Sequence, residues 1–422
     1  MDIRLKPCRF CGEVKALSSK SDAHRLLIAS ALSDKPTFIS CNTRSADITA
    51  TVNCLNSLGA DIEFVDGGIS VRPIKERRKS AVLDCKESGS TIRFLLPVAA
   101  ALGTNAEFTG GGRLPERPLS PLREQMEAHN TVFSPINVFP VKISGKMTSG
   151  EFTIKGNISS QFITGLLFAL PLLNGDSIIN VIPPVESRPY IDMTLNTLKK
   201  FGISVKEDNN RFFIPGGQKY VSPGTAVSQG DWSNSAFFLT AGAVSGKVTV
   251  TGLDLSSVQG DKQILTILKE MGAEISSNRD SITVEKGNLH GTNIDARNIP
   301  DLVPILSVAA AAANDGKTVI TGAERLKIKE SDRLTAVYES LKILGVDISK
   351  TDDGLVINGT GLVGGGVVSG YNDHRMVMAL SVLSAVSSGD IILHGAEAVN
   401  KSYPNFFEDF SSLGGSYNVI NS

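Results

Sequence analysis

Apolar and polar positions run along the chain in a cycle that repeats six times. Each copy opens with a short β-like run, crosses a polar loop and continues into a helical pattern. The copies begin at Asp34 (DKPTFIS), Gly103 (GTNAEFTG), Gly175 (GDSIINV), Gly246 (GKVTVTG), Gly316 (GKTVITG) and Gly389 (GDIILHG), with starts 69, 72, 71, 70 and 73 positions apart. Five of the six helices end at a glycine, Gly59, Gly202, Gly272, Gly345 and Gly414, where a left-handed C-terminal cap belongs. The second copy reads Glu127-Ala128-His129 instead. A period of this size marks a repeat architecture.

A second helical segment precedes each start. The six read SKSDAHRLLIASAL, SGSTIRFLLPVAAAL, SSQFITGLLFALPLL, WSNSAFFLTAGAV, IPDLVPILSVAAAAA and NDHRMVMALSVLSAV. Each has a polar head and an almost uncharged body, and a helix apolar on all sides is a buried one. The heads carry the chemistry. A helix N-terminus leaves backbone N–H groups free and has a partial positive charge, so it attracts anions. Three heads add fixed cations: Lys20 with Arg25, Arg93, and Arg375. Converging heads would make a site for a multiply anionic ligand.

The expected fold is therefore α/β, built of α+β repeats. Three repeats precede residue ~229 and three follow it, consistent with the size at which single cores divide. This predicts one domain over 19–229 and a second over 1–18 plus 230–422, with the ligand in the cleft between them.

Composition narrows the function. The 422 residues carry a net charge of -1, which excludes a generally basic nucleic-acid or membrane-surface protein. The opening MDIRLKPCRFCGEVKAL has no apolar signal core, and the longest apolar run, 303–313, is far short of the ~18 residues of a membrane span. A cytoplasmic protein is expected. Cys8 and Cys11 have C-x-x-C spacing, but no second pair or spaced histidines complete a metal site, so reduced, incidental thiols are the reading.

Candidate site residues fall in the heads and in the loops after each first strand. The heads give Lys20, Ser21, Arg25, Gly89, Ser90, Ser159, Ser160, Gln161, Asp301 and Arg375; the loops give Arg117, Ser187, Arg188, Tyr190, Lys329, Glu330, Arg333 and Lys401. The set is rich in Arg and Lys, with acids confined chiefly to Asp301 and Glu330. Arg grips phosphate and carboxylate in two-point fashion, and a carboxylate in a basic cleft suits proton transfer on anionic substrates. Each piece alone has a plainer reading. Lys20-Ser21 could be an ordinary helix start, Ser159-Ser160-Gln161 a capping cluster, Asp301 a cap, and Lys327–Arg333 a solvated charged face.

Taken together, these motifs resemble the EPSP synthase family of enolpyruvyl transferases. The resemblance runs in order through Lys20-Ser21-x-x-x-Arg25, Ser88-Gly89-Ser90-Thr91-x-Arg93, Glu116-Arg117-Pro118, Ser159-Ser160-Gln161 and Ser187-Arg188-Pro189-Tyr190. It continues through Gly230-Asp231, Ile299-Pro300-Asp301, Lys329-Glu330-Ser331-Asp332-Arg333, Asp373-His374-Arg375 and Lys401. It implies an inside-out fold with two domains, each of three βαβαββ units with buried helices. It also implies transfer of the enolpyruvyl group of phosphoenolpyruvate to the 5-hydroxyl of shikimate 3-phosphate through a tetrahedral intermediate, in a monomer without metal or cofactor.

By the same resemblance Lys20, Ser21, Arg25, Ser159, Ser160, Gln161, Ser187, Tyr190, Asp301 and Lys329 hold shikimate 3-phosphate. Lys20, Gly89, Arg117, Gln161, Arg333, Arg375 and Lys401 hold phosphoenolpyruvate, and Asp301, Glu330 and Lys20 are catalytic. The chain departs from common members at Glu87, Ser88, Phe94 and Arg325, changes that bear on inhibition by glyphosate. The related UDP-N-acetylglucosamine transferases place a Cys or Asp in the loop matching 112–117; here that loop reads Gly-Arg-Leu-Pro-Glu-Arg.

Overall fold

Each repeat folds around one buried helix. In the second, the strands Ser80–Asp84 and Asn105–Thr109 pair in parallel, and the helix Gly89–Leu102 is the crossover that a parallel pair requires. The helix Leu122–Ala128 then leads to the antiparallel strands Val132–Ser134 and Val141–Ser144, which complete a four-stranded sheet. The computed structural model describes residues 1–135 and 139–421. Among these there are six four-stranded sheets, each with one parallel and two antiparallel pairings. The architecture is α/β.

The six segments predicted to be buried helices form Lys20–Ala31, Gly89–Leu102, Ser160–Ala169, Trp232–Ser245, Val303–Ala311 and His374–Leu383. Nearly every residue in them is buried, polar ones included: His24, Arg25, Thr91, Thr164, Thr240 and Ser307 are at most 2% exposed. Proline shapes two of their ends. Pro171 sits in the short 3-10 turn Leu170–Leu172 that closes the third helix, and Pro300 opens the 3-10 turn Pro300–Leu302 before the fifth.

The five predicted cap glycines all adopt positive φ, between 74° and 109°. In the second repeat Asn130, at φ 64°, takes that conformation instead. Asparagine is the side chain that tolerates the left-handed region best, so the departing copy keeps the cap geometry with another residue.

The chain divides into two compact units, Met1–Ser19 with Gln229–Ser422, and Lys20–Ser228. Each has its own core and three sheets. Two strands are exchanged on the way. Cys11–Lys15 precedes the first buried helix in sequence, yet pairs in parallel with Lys247–Thr251. Thr225–Val227 precedes the fourth buried helix, yet pairs with Thr37–Ser40. The crossings are hydrogen-bonded to one another through Ser19 N to Gln229 O (2.7 Å) and Asp231 N to Leu17 O (2.8 Å). The last sheet closes on the N-terminal strand: Asp2–Lys6 lies antiparallel to both Ile391–His394 and Ser416–Asn421.

Candidate active site

In the unit Lys20–Ser228 the heads of three buried helices carry a linked set of polar side chains. Ser88 and Ser159 accept from the backbone N–H of Thr91 and Gln161, so both are true N-caps. That leaves Ser160, Gln161, Ser90 and Arg93 for other work. Arg93 donates to Gln161 Oε1 at 2.8 Å and to Pro118 O at 2.9 Å, while Gln161 Nε2 donates to Ser90 Oγ at 2.9 Å. Two helix heads and the Arg117 loop are thereby held in register. Arg93 was a helix-head cation without an assigned role; its role is this tie.

Arg117 lies over the start of the Gly89–Leu102 helix. A β-carbon on Gly89 would stand 2.6 Å from an Arg117 guanidinium nitrogen, so only glycine lets the guanidinium rest there. Ser187 begins the helix Arg188–Lys200 in the left-handed conformation (φ 55°) and is buried. Such strain in a serine marks a position fixed by its surroundings. Arg188 is drawn away to Glu207 and Asp192.

Arg25 is 2% exposed and bridges two helices. It donates to Thr194 Oγ1 (2.9 Å), Ser21 O (2.6 Å) and Tyr190 O (2.8 Å), and its guanidinium lies 5.3 Å from the ring centre of Phe94. Burial lowers its pKa to about 10, partly offset by Asp22 and Tyr190, so it remains cationic at neutral pH. Lys20 makes a 2.8 Å ion pair with Asp47, an acid sequence reasoning passed over. The start of this helix is no surface start: Asp22 through Ala31 are buried without a break.

In the other unit Asp301 sits in the 3-10 turn before its helix, at the N-cap of neither the turn (Ile299) nor the helix (Leu302). Instead cations surround it. Arg333 donates to Asp301 Oδ1 at 2.8 Å, Arg375 to Oδ2 at 3.1 Å, and Lys329 Nζ stands 3.6 Å from Oδ1. Burial alone would raise the Asp301 pKa, but Arg375, Lys329 and Arg333 hold it well below the usual carboxylate range. Glu330 accepts from Arg333 at 2.6 Å.

Arg333 is 1% exposed, and its remaining edge rests on Asp373, which also accepts from Ser331 Oγ and from the backbone N–H of Arg375. Lys327–Arg333 is thus only partly a solvated face: Lys327 reaches the exposed Asp352 carbonyl, while Ser331 and Arg333 are buried. Burial lowers the Lys329 pKa to about 8 against the pull of Asp301. Lys401 donates to Asn372 O at 2.6 Å, at the neck of the Arg375 helix. Arg325 points its guanidinium at Arg297 O (2.7 Å).

The expectation of few acids needs correction. Asp231, Asp261 and Asp373 are each at most 3% exposed in this unit. Asp231 caps the Trp232–Ser245 helix by accepting from Asn234 N at 2.8 Å. Asp261 gave no sequence signal, because Gln259-Gly260-Asp261 reads as an ordinary polar turn until burial is known. Among the described residues no group of three or more His, Cys, Asp or Glu side chains is arranged to hold a metal ion. No helix of the described chain is long and apolar enough to cross a membrane.

Comparison with known proteins decides the family. Residues 6–410 match the sequence profile of EPSP synthase (3-phosphoshikimate 1-carboxyvinyltransferase). The chain belongs to the EPSP synthase family. A relative from Clostridium novyi, named 3-phosphoshikimate 1-carboxyvinyltransferase, is 42% identical over 98% of both chains. One of the same name from Brachyspira hyodysenteriae is 43% identical over 98% of this chain and 99% of its own. The solved EPSP synthase from Acinetobacter baumannii superposes with a TM-score of 0.83 at 26% identity over the whole of both chains. The enolpyruvyl transferase NikO from Streptomyces tendae, at 15% identity and a TM-score of 0.78 over 99% and 98% of the chains, shares the fold.

Proposed function

We propose that the chain transfers the enolpyruvyl group of phosphoenolpyruvate to the 5-hydroxyl of shikimate 3-phosphate, releasing phosphate. The observation that carries the reading is the Asp301 cluster, an ionised carboxylate gripped by Arg333, Arg375 and Lys329 with Glu330 on the same guanidinium. A carboxylate so stabilised is a poor base. The ligands change that. They bring on the order of 4–5 negative charges, which compete with Asp301 for the same cations. Each cation drawn off raises the proton affinity of Asp301, so basicity develops when substrate is bound.

Ser21, Arg25, Ser159, Ser160, Gln161, Ser187, Tyr190 and Lys329 are assigned to shikimate 3-phosphate. Lys20, Gly89, Arg117, Gln161, Arg333, Arg375 and Lys401 are assigned to phosphoenolpyruvate. Asp301 takes the proton of the 5-hydroxyl as its oxygen bonds to the enol carbon. Glu330 supplies a proton to the methylene carbon, giving the tetrahedral intermediate, with Lys20 stabilising the charge that develops. In elimination the methyl group returns a proton to Glu330 and the phosphate leaves with the proton of Asp301. No atom changes oxidation state overall, so proton transfer and charge neutralisation suffice.

The test is phosphate release from phosphoenolpyruvate with each candidate acceptor. Release with shikimate 3-phosphate and none with UDP-N-acetylglucosamine is expected; release with the sugar nucleotide alone contradicts the reading.

A further inference from the structure

The Asp301 cluster has another acid beside it that the mechanism does not use. Asp261 lies in the 3-10 turn Gly260–Gln263, is 3% exposed, and its Oδ1 is buried with no hydrogen-bond partner. Ser233 Oγ, at the first turn of the Trp232–Ser245 helix, is likewise buried and unpartnered. The groups that face Asp261 are Ser233 and Asp231 from that helix head, Asp301 from the Pro300–Leu302 turn, and Arg375 from the His374–Leu383 helix. Three carboxyl groups therefore crowd the space beside the Arg375 guanidinium.

Arg375 is already committed. It donates to Asp301 Oδ2 at 3.1 Å and to the Asp301 carbonyl at 3.3 Å. Arg375 is the cation among the groups facing Asp261, and a buried charge without a partner of its own is strongly disfavoured. A protonated Asp261 avoids the conflict, and the Ser233 hydroxyl, donor or acceptor, suits the carboxyl in either state. Burial first, then repulsion from Asp301, pushes the Asp261 carboxyl up to about 7 against the pull of Arg375.

This extends the reading that Arg375 holds phosphoenolpyruvate. We propose that Asp261 is a positioning residue for Arg375: neutral, it leaves the guanidinium to Asp301 and the incoming carboxylate or phosphate; ionised, it draws Arg375 back and weakens the grip on phosphoenolpyruvate. The consequence is a binding step that responds to pH near neutrality without any change in the reacting groups.

The experiment compares KM for phosphoenolpyruvate in the wild type and in Asp261→Asn between pH 6 and 8. The substrate's own phosphate titrates in this window in both proteins, so the readout is the wild-type to variant ratio. That ratio is expected to rise roughly 3- to 10-fold from pH 6 to 8 as Asp261 ionises only in the wild type. A ratio that stays constant overturns the proposal. Asp261→Ser, neutral and smaller, gives the same test should the amide variant fail to fold. Failure of the functional reading itself looks different: the wild type would release no phosphate from these substrates at any pH.

Discussion

Arg333 donates to both oxygens of Asp373, at 2.7 Å and 3.3 Å, with neither side chain more than 1% exposed. One edge of the guanidinium is thus fixed inside the unit, and the opposite edge is presented to Asp301 and Glu330. Arg333 is thus a structural strut as well as a cation proposed to bind phosphoenolpyruvate. Removing it strands two or three carboxylates at once. Arg333→Ala should lower folding stability by about 3–5 kcal/mol, the range for breaking a buried ion pair from one side. Urea unfolding checks this; an unchanged midpoint would show that Asp373 finds another partner.

Lys329 gives a pH dependence. Its folded pKa of about 8 lies below the ordinary lysine value, so between pH 8 and about 10.4 the unfolded chain binds more protons than the folded one, and stability rises across that window. Binding moves the other way. Above pH 8 Lys329 loses the charge assigned to shikimate 3-phosphate, and KM for that substrate should climb toward 10-fold per pH unit. Lys329→Arg should remove this limb, because guanidinium keeps its charge.

His24 makes the complementary case at low pH. It is fully buried, bonds Thr51 at 2.7 Å, and continues through Thr91 to the Ser88 cap. Burial, then Lys20 and Arg25, lower its pKa well below the ordinary histidine value, so it stays neutral while the unfolded chain takes a proton below about pH 6.5. Stability should therefore fall with acidification from about pH 6.5 by up to about 1.4 kcal/mol per pH unit. Denaturation series at pH 7 and 5 on wild type and His24→Gln should show the variant losing less.

Gly89→Ala tests the seat of Arg117. The added methyl meets the guanidinium at 2.6 Å, and a flexible side chain can yield, so the fold should survive. Displacing one charge-assisted contact should raise KM for phosphoenolpyruvate roughly 10-fold with little change in melting temperature. An unchanged KM would remove Arg117 from that ligand.

Much of this was legible in the sequence because it is local. The 70-residue period, the apolar helices and the cap glycines depend on neighbouring residues, and Asn130 shows that even the irregular copy obeys the same backbone rule. The pairing partners of the exchanged strands were not legible, although residues 1–18 were expected to join 230–422. Cys11–Lys15 finds its partner more than two hundred residues away, and nothing within five residues encodes that choice. The buried acids were equally hidden. Asp261 and Asp47 look like surface aspartates, and only tertiary packing brings one beside Arg375 and the other against Lys20.

The decisive measurement is steady-state phosphate release by Asp301→Asn with shikimate 3-phosphate and phosphoenolpyruvate, alongside shikimate 3-phosphate affinity by titration. Turnover should drop at least ~100-fold, as for a lost general base, while affinity changes less than ~10-fold. Turnover within about 3-fold of wild type would contradict a base at this position.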